Sequence, residues 1–421
     1  MAVGEGFGRE RNEVLETLWR LIRKNHETYA ILFRKQDYHN HVPNTMTSAY
    51  VLGASSEHLE EILESEGKRL IKWDDISKRS DLVLTRENWL EHVGDRDYEH
   101  AFFDFYTREL LHNEEGTDWR QVVRHYLNVP VANGSTLLLE GLFGDVLHPV
   151  INLGYAQELD NPLLAIEALT LITCAYTRDL GVLCEESEKV EALTDDPLEI
   201  FHRIRADCEL DERVRDSRKW RVHHIATEFH EKITRYCGQL EINRHVTADK
   251  LLHLGALVFA ATHKDNDPQY DFILLHTLTA THELIELIKA AETDSGFIPP
   301  DKSIQNQMLS RLWVSFILVY IAQGRPLIKP ERIADYPIKS TSSAWEEAVT
   351  LTLTGKQRLD IHIPKVVRAL LFCQNHLNDR NGFYARAALC FTRNFSENGY
   401  AKLNGHQMDV KDLDAVKEAP S

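Results

Sequence analysis

The chain has 421 residues, of which 65 are acidic and 48 are basic, so its formal net charge at pH 7 is −17. This excess of negative charge repels a phosphate backbone and an anionic membrane surface, which argues against a nucleic-acid or membrane partner. With 43% hydrophobic residues, a chain of this length can bury a sizeable core.

No segment of the sequence predicts secretion or membrane insertion. Residues 1–11 contain no apolar signal core, and the most apolar later run, residues 312–322, is too short to span a bilayer. The six cysteines are widely spaced without a Cys-x-x-Cys pair, so neither a zinc knuckle nor a disulfide scaffold is indicated. We therefore expect a cytoplasmic protein; the sequence carries no signal for its oligomeric state.

Apolar residues recur with helical spacing through most of the chain, whereas alternating strand patterns are nearly absent. The predicted helices are, in chain order, 14–22, 57–63, 98–111, 119–127, 163–183, 198–204, 221–236, 248–261, 272–290, 308–321 and 366–377. They predict a mainly α fold, a single large multi-helix domain over residues 1–393. Residues 394–421 contain few large apolar side chains, and we expect them to form a loosely packed tail.

Two histidines lie in the first part of the chain, in the sequence Tyr38-His39-Asn40-His41. Alternation places His39 and His41 on one side if residues 38–43 are extended, and Pro43 favours extended backbone before it. A solvent-exposed loop preceding a helix is an equally good interpretation of this segment.

Two further histidines stand in unusual contexts. His148 directly precedes Pro149, which suits the first turn of a helix and would leave the imidazole at the helix mouth. His276 lies in the apolar run 272–278, where a buried imidazole requires a partner. For both residues, a hydrogen-bonded core histidine is the competing interpretation.

The pair His362 and Lys365 has the most informative chemistry. Pro364 predicts the start of a helix that continues to His376, which places Lys365 in the first turn, where the helix dipole disfavours a cation. Either the ammonium reaches solvent, or the amine is neutral or carboxylated. A carbamate would be an anion at a helix N-terminus and a hard oxygen ligand for a metal.

The sequence contains no dinucleotide-binding fingerprint, no P-loop and no Gly-x-Ser-x-Gly elbow. A redox enzyme without such a signature must take its electron chemistry from a metal or from its substrate. Imidazole is a good ligand for iron, zinc or copper. We therefore expect the scattered histidines to line a buried cavity that holds a metal.

Five sets of segments, taken together, resemble a known family. They are residues 38–41 with 50–55, Trp89 with residues 98–109, residues 147–151 with 153–156, residues 271–276, and residues 362–369. Over about residues 38–377 the chain resembles the questin-oxidase-like family of fungal secondary metabolism, which includes anthraquinone ring-cleaving oxygenases.

The resemblance implies an all-helical oxidoreductase that oxygenates or opens an aromatic polyketide by Baeyer–Villiger-type or dioxygenase chemistry. For the ring-cleaving branch it implies Fe(II) held by histidines and a carboxylated lysine. O2 is the expected co-substrate, and NADPH stays open as a further co-substrate. The predicted metal ligands here are His41, His148, His276, His362 and Lys365. Among them, His41, His276 and Lys365 are the predicted catalytic residues.

The sequence departs from the family pattern at two positions. The pattern H-N-H-x-x-H ends here in Asn44, and the pattern H-P-x-I-H ends in Asn152. Each asparagine lies one helical turn from a retained histidine, so each can share its face. If the lost imidazoles are ligands, the iron site is damaged; if they contact the substrate or the ligands, asparagine preserves a hydrogen-bonding role.

His39, Asn44, Asn152 and Arg368 are therefore predicted to contact the substrate or to support the ligands. Arg368 can steady a substrate oxyanion or pair with an internal acid. Three functions remain open. The first is an Fe(II)-dependent oxygenase of aromatic polyketides, the second a zinc-dependent hydrolase or lyase with the same ligands, and the third a metal-free relative that binds a hydrophobic small molecule.

Overall fold

The computed structural model describes residues 2–33, 38–76, 82–112, 116–131, 136–177, 179–210, 222–263 and 268–395, and all structural statements refer to these ranges. Within them the fold is mainly α, as the helical periodicity predicts. Its strands are two short antiparallel pairs, β1 (Leu32–Phe33) with β2 (Tyr38–His39) and β3 (Pro130–Val131) with β4 (Thr136–Leu137).

The chain forms two compact units. The first unit comprises residues 1–176, 286–299 and 349–368, and the second comprises residues 177–285, 300–348 and 369–421. The expected boundary at residue 393 stays a prediction, because all of the tail except Asn394 and Phe395 lies outside the described residues. None of the described helices combines the length and the apolar character that a membrane crossing requires.

The first seven helices belong to the first unit, as do both strand pairs. They are α1 (Ala2–Thr28), α2 (Val42–Val51), α3 (Ser56–Gly67), α4 (Glu99–Leu111), α5 (Trp119–Leu127), α6 (His148–Glu158) and α7 (Pro162–Cys174). The well-buried α7 packs against α6 and α4, and α2 packs against α1, α3 and α6.

The remaining helices follow in the second unit, although the limits of the two units fall inside three of them, α13, α16 and α17. They are α8 (Asp179–Ser187), α9 (Pro197–Ala206), α10 (Val222–Glu228), α11 (His230–Gly238), α12 (Arg244–Ala260), α13 (Leu275–Ala290), α14 (Lys302–Ala322), α15 (Glu331–Ala334), α16 (Thr341–Thr354), α17 (Ile363–His376) and α18 (Phe383–Asn394).

Several helices begin where the sequence supplies a cap. Asn161 accepts hydrogen bonds from the backbone N–H groups of Leu163 and Leu164, and Pro162 occupies the first position of α7. Asp301 caps α14 in the same way. The carboxylate or amide oxygen satisfies backbone donors that have no partner inside the helix, which fixes the start of the helix.

Two long predicted helices are each two helices in the structure, so those predictions are wrong. The run 163–183 is broken after Cys174, where the chain passes from the first unit to the second. The run 221–236 is broken at Phe229, and Arg221 lies outside the described residues. Tertiary packing overrides the local periodicity at both breaks.

The sequence prediction also missed α2, α16 and α18, and the short α15. In α2 all residues from Val42 to Ala49 are buried, and four of these eight are the polar residues Asn44, Thr45, Thr47 and Ser48. A helix that buries its polar side chains has no apolar stripe, so hydrophobic periodicity does not reveal it.

Glu99, the first residue of α4, anchors the segment that leads to His39. Its Oε1 accepts hydrogen bonds from the backbone N–H groups of Ile31 at 3.0 Å and Leu32 at 2.8 Å. Leu32 in turn pairs with His39 across β1 and β2. Burial raises the pKa of Glu99 to about 7, although the two backbone donors act in the opposite direction.

This shift makes folding stability depend on pH. A carboxyl group whose pKa is higher in the folded than in the unfolded state binds extra protons when folded, so its contribution falls as pH rises from about 4.5 to about 7. The shift corresponds to about 3 kcal/mol. We expect Glu99→Gln, measured by urea unfolding at pH 5 and pH 8, to lose less stability than the wild type over this interval.

The exposed Glu64 provides the matched control, because Glu64→Gln makes the same chemical change at a carboxylate that is not buried. It should keep the wild-type pH dependence. An unchanged pH dependence in Glu99→Gln would contradict the assignment of the raised pKa to Glu99.

Candidate functional site

A buried cluster in the first unit contains five of the predicted site residues. His39, His41 and His148 are each 6% exposed, and His362 and Lys365 are each 1% exposed. The exposed-loop interpretation of His39 and His41 is therefore wrong. The alternative in which the Lys365 ammonium reaches solvent is also wrong.

The local backbone places His39 and His41 differently. His39 is the last residue of β2. His41 directly precedes α2 and has helical dihedral angles, φ −95° and ψ −3°. The extended backbone considered for residues 38–43 therefore ends before Pro43. The His39 ring nevertheless stacks on His148 with centroids 3.7 Å apart. The centroids of His41 and His148 are 4.9 Å apart.

His148 is positioned by a left-handed turn. Asp145, Val146 and Leu147 have φ values of 50°, 53° and 69°, a conformation that costs a residue with a Cβ about 1–2 kcal/mol. The turn lies close to the end of α7, because a Cβ on Gly144 would overlap the carbonyl oxygen of Ala175. The close approach that Gly144 permits holds the strained turn against α7.

Asp145 connects three groups through this turn. Its carboxylate accepts hydrogen bonds from His39 Nε2 at 2.5 Å and from Arg96 Nη2 at 2.6 Å, and its backbone carbonyl accepts one from His148 Nδ1 at 2.6 Å. Burial by itself raises the pKa of Asp145, but the contacts with His39 and Arg96 outweigh burial and hold the pKa at about 2. The ionised carboxylate and the carbonyl only accept, so His39 Nε2 and His148 Nδ1 carry the protons.

A directed chain of hydrogen bonds connects Lys365 with His148. Lys365 Nζ lies 2.7 Å from His41 Nδ1, and His41 Nε2 lies 3.3 Å from His148 Nε2. An ammonium can only donate, so with Lys365 charged the proton of His41 is on Nε2 and points at the lone pair of His148 Nε2.

The spacing of the two Nε2 atoms fits a metal site. Two imidazole nitrogens bound to one cation at about 2.1 Å, with an angle of about 90–110° between the bonds, are about 3.0–3.4 Å apart. The Nε2 atoms of His41 and His148 are 3.3 Å apart. The hydrogen bond from His148 Nδ1 to a carbonyl is the contact that fixes the tautomer of a metal-binding histidine. His39, His41 and His148 together present ring nitrogens within 4.8 Å of one another.

The start of α17 brings His362 to the cluster. Asp360 Oδ1 accepts from the backbone N–H groups of His362 and Ile363, which confirms within one residue the predicted start of this helix at Pro364. The His362 ring lies 4.7 Å from that of His41. Thr45 of α2 donates to the carbonyl of Ile361 at 2.7 Å and ties α2 to the turn that precedes α17.

Arg368 and the two asparagines also lie in the first unit. Arg368 forms an ion pair with Glu158 and places its guanidinium 5.1 Å from the centre of the Tyr155 ring, which is the second of the two alternatives for this residue. Asn44 Nδ2 donates to Asn152 Oδ1 at 2.6 Å. The two asparagines at which the sequence departs from the resembled pattern are therefore in contact.

His276 lies in α13 and belongs to the second unit. It is fully buried, and its Nδ1 donates to the carbonyl of Phe272 at 3.0 Å. Asp271 Oδ1 accepts from the backbone N–H groups of Ile273 and Leu274 and so fixes the turn before α13. The assignment of His276 as a metal ligand stays a prediction.

Sequence reasoning missed Asp145 and Arg96. An aspartate three residues before a histidine, following Gly144 in a helix-mouth motif, is a usable signal for an orienting group. The role of Arg96 had no such signal, because its contact with Asp145 joins positions 49 residues apart in sequence.

The fold and the cluster define a mainly α protein with a buried centre of imidazoles and one lysine. The chain belongs to the questin oxidase-like family, whose model matches residues 38–370. It is 22% identical to a Baeyer–Villiger monooxygenase of Cryptosporiopsis sp. over 83% of this chain and 79% of the relative. It is 25% identical to the oxidoreductase AflY of Aspergillus parasiticus, over 84% and 72% of the two chains. It is 22% identical to a questin oxidase of Aspergillus fumigatus, over 85% and 80%.

The contacts of Asp145 predict a measurable stability effect. Lowering its pKa from 3.8 to about 2 corresponds to about 2 kcal/mol, which is present above pH 3.8 and is lost as pH falls through about 2. We expect Asp145→Asn to lower the free energy of unfolding at pH 7 by about this amount. Long-range proton–nitrogen NMR should show a changed His39 ring and an unchanged His148 tautomer, because the backbone carbonyl remains.

The control is Asp104→Asn, which alters a half-exposed aspartate 3.3 Å from His100. Exposed ion pairs contribute little, so this variant should stay within about 0.5 kcal/mol of the wild type. An Asp145→Asn protein as stable as Asp104→Asn would refute the role of Asp145.

Proposed function

We propose that this protein is an iron-dependent oxygenase of fungal secondary metabolism that oxygenates or cleaves an aromatic polyketide of the anthraquinone type. Membership of the questin oxidase-like family supports the class of reaction, since relatives covering most of this chain are named as Baeyer–Villiger monooxygenase and questin oxidase. The ligand set is argued from the histidine cluster.

The observation that carries the proposal is the pair of Nε2 atoms of His41 and His148, 3.3 Å apart in a buried site. His41 and His148 would hold the iron through these atoms, with His362 and His276 as further proposed ligands. Lys365 is also a proposed ligand, but its Nζ faces His41 Nδ1, on the other side of that ring, so a carbamate on Lys365 would have to turn toward the Nε2 side to bind the same iron. When bound, Fe(II) would supply the activation of O2 that the amino-acid side chains cannot provide.

The side chains around the cluster perform three tasks in this proposal. Asp145 holds His148 in the tautomer with an unprotonated Nε2. The near-complete burial of His362 and Lys365 keeps bulk water from the reacting centre. Arg368, 5.1 Å from the Tyr155 ring and paired with Glu158, supplies a fixed positive charge beside the cluster helices.

Lys365 must change its proton state for metal binding. If the Nε2 atoms of both His41 and His148 carry lone pairs for a cation, the proton of His41 moves to Nδ1, which faces Lys365 Nζ at 2.7 Å. An ammonium cannot accept that hydrogen bond, whereas a neutral amine or an adjacent carbamate oxygen can. A carbamate also removes a buried positive charge next to the metal. We therefore propose that Lys365 is carboxylated in the active protein.

Metal analysis tests the ligand set. Protein purified without oxygen or a polyhistidine tag should contain about one iron per chain by plasma mass spectrometry. It should consume O2 only when given a hydroxylated anthraquinone, and assays with and without NADPH would establish whether this co-substrate takes part. His148→Ala and His362→Ala should lose both iron and O2 consumption, because each removes a proposed ligand.

His376→Ala is the control, because His376 pairs with the half-exposed Asp249 outside the cluster, and it should retain iron. A His276→Ala protein with full iron content and activity would remove His276 from the ligand set. Stoichiometric zinc with activity in the absence of O2 would replace the oxygenase with a hydrolase or lyase. No metal after Fe(II) reconstitution would leave a protein that binds hydrophobic small molecules.

Reconstitution in the presence and absence of carbon dioxide tests the carboxylation of Lys365. We expect iron loading to rise when bicarbonate is supplied, with a carbamate signal in the carbon NMR spectrum after labelling with ¹³C-bicarbonate. Lys365→Ala should lose iron and recover part of it in acetate or propionate, which can occupy the place of the carbamate. Equal loading with and without bicarbonate, together with no carbamate signal, would rule out the modification.

A further inference from the structure

Polar pairs follow one another along the contact between α2 and α6. After His41 and His148 comes the hydrogen bond between Asn44 and Asn152 at 2.6 Å, and then that between Ser48 and the Tyr155 hydroxyl, also at 2.6 Å. On each helix the three positions are spaced three or four residues apart, so they share one face. The asparagine pair therefore lies one helical turn, about 5.4 Å along the axis, from the pair of imidazoles.

A gain in net stability does not explain such a face. A buried hydrogen bond between neutral side chains contributes only about 1 kcal/mol net, and apolar residues of the same shape would pack at least as well. Asn44 is 3% exposed, so the cost of removing its amide from water is nearly complete.

The mutual hydrogen bond leaves part of each amide unused. An asparagine side chain offers one acceptor oxygen and two N–H donors. Among the described residues, neither side chain makes a hydrogen bond other than the one that joins them. Asn44 Oδ1 therefore remains available as an acceptor, and Asn152 Nδ2 as a donor. Neither atom is among the polar atoms that the protein encloses completely without a partner, so each keeps some contact with solvent-accessible space.

We propose that Asn44 and Asn152 form a binding subsite for a hydroxyl group and a neighbouring carbonyl group on an aromatic substrate. The substrate hydroxyl donates to Asn44 Oδ1, and the substrate carbonyl accepts from Asn152 Nδ2. Exchanging O and N in both amides reverses the two roles but leaves one donor beside one acceptor. Neutral amides match neutral hydroxyl and keto groups, whereas a carboxylate would call for a cation.

This subsite specifies which substrate groups the proposed oxygenase would bind. Its part in the reaction rests on the proposed function, whereas the binding itself does not. Histidine at both positions, as in the family pattern, would present imidazoles to a metal; two asparagines that bond to each other present a recognition surface instead. The substitutions therefore mark a difference in substrate binding and leave the metal to the remaining ligands.

The test is equilibrium binding under argon, with hydroxyanthraquinone and unsubstituted anthraquinone as probes and iron content measured on each sample. We expect the wild type to prefer hydroxyanthraquinone by about 10- to 100-fold, the range for one or two hydrogen bonds to a buried amide. Asn152→Asp replaces the donor with an acceptor, and Asn44→Leu/Asn152→Leu removes both groups. Both variants should lose the preference and keep their iron.

Thr47→Val is the matched control on α2, because the Thr47 hydroxyl bonds to the Pro43 carbonyl of its own helix. It should keep the wild-type preference, and circular dichroism would verify that each variant is folded. If the double leucine variant does not fold, Asn152→Asp alone decides the question.

A preference that survives in Asn152→Asp would overturn the subsite, as would a wild type that binds neither probe. Loss of iron in the asparagine variants would also overturn it, since the pair would then belong to the metal site. Failure of the oxygenase proposal has a different signature, because a wild type without iron or O2 consumption can still show the binding preference and its loss.

Discussion

The left-handed turn at Asp145, Val146 and Leu147 is the constraint on which the histidine cluster depends. Three successive residues with side chains adopt positive φ there, and Val146 is β-branched, which makes the conformation costly. The cost is met by packing of Gly144 against the end of α7 and by hydrogen bonds to both ends of Asp145. A turn with ordinary dihedral angles would point the Asp145 carbonyl in another direction. His148 Nδ1 would then lose its hydrogen-bond acceptor, and the His148 tautomer would no longer be fixed.

Electrostatics inside the first unit differ from those of the chain as a whole. The protein carries a formal charge of −17, yet its cluster contains a buried lysine and lies next to Arg96 and Arg368. Each arginine is paired with a carboxylate, Asp145 or Glu158, so the basic groups are fixed in direction. Lys365 Nζ has the Nδ1 atom of His41 as its neighbour at 2.7 Å.

The helices around the cluster combine polar contacts with dense burial. In α2 the polar residues are as buried as the apolar ones. They form hydrogen bonds with α6 and with the turn before α17. Buried polar contacts of this kind restrict how the helices can be aligned, because a shift by one residue would leave several donors and acceptors unsatisfied. The register that aligns His41 with His148 therefore also aligns the asparagine pair.

Much of this protein can be read from the amino-acid sequence. Helical periodicity predicts the mainly α fold, and Pro364 predicts the helix that carries Lys365 within one residue of its start. The sequence also identifies most of the cluster, namely His39, His41, His148 and His362. Histidines next to prolines or in a short repeat differ from the apolar pattern of core helices.

Only the tertiary structure decided how these residues are oriented. It buried His39, His41 and Lys365, broke the predicted helix 163–183, and revealed α2, which has no apolar stripe. It also joined Asp145 to His39 and Asn44 to Asn152, contacts between positions more than 100 residues apart. Periodicity and capping act over a few residues, whereas hydrogen-bond direction, backbone strain and burial depend on groups that meet only when the helices pack.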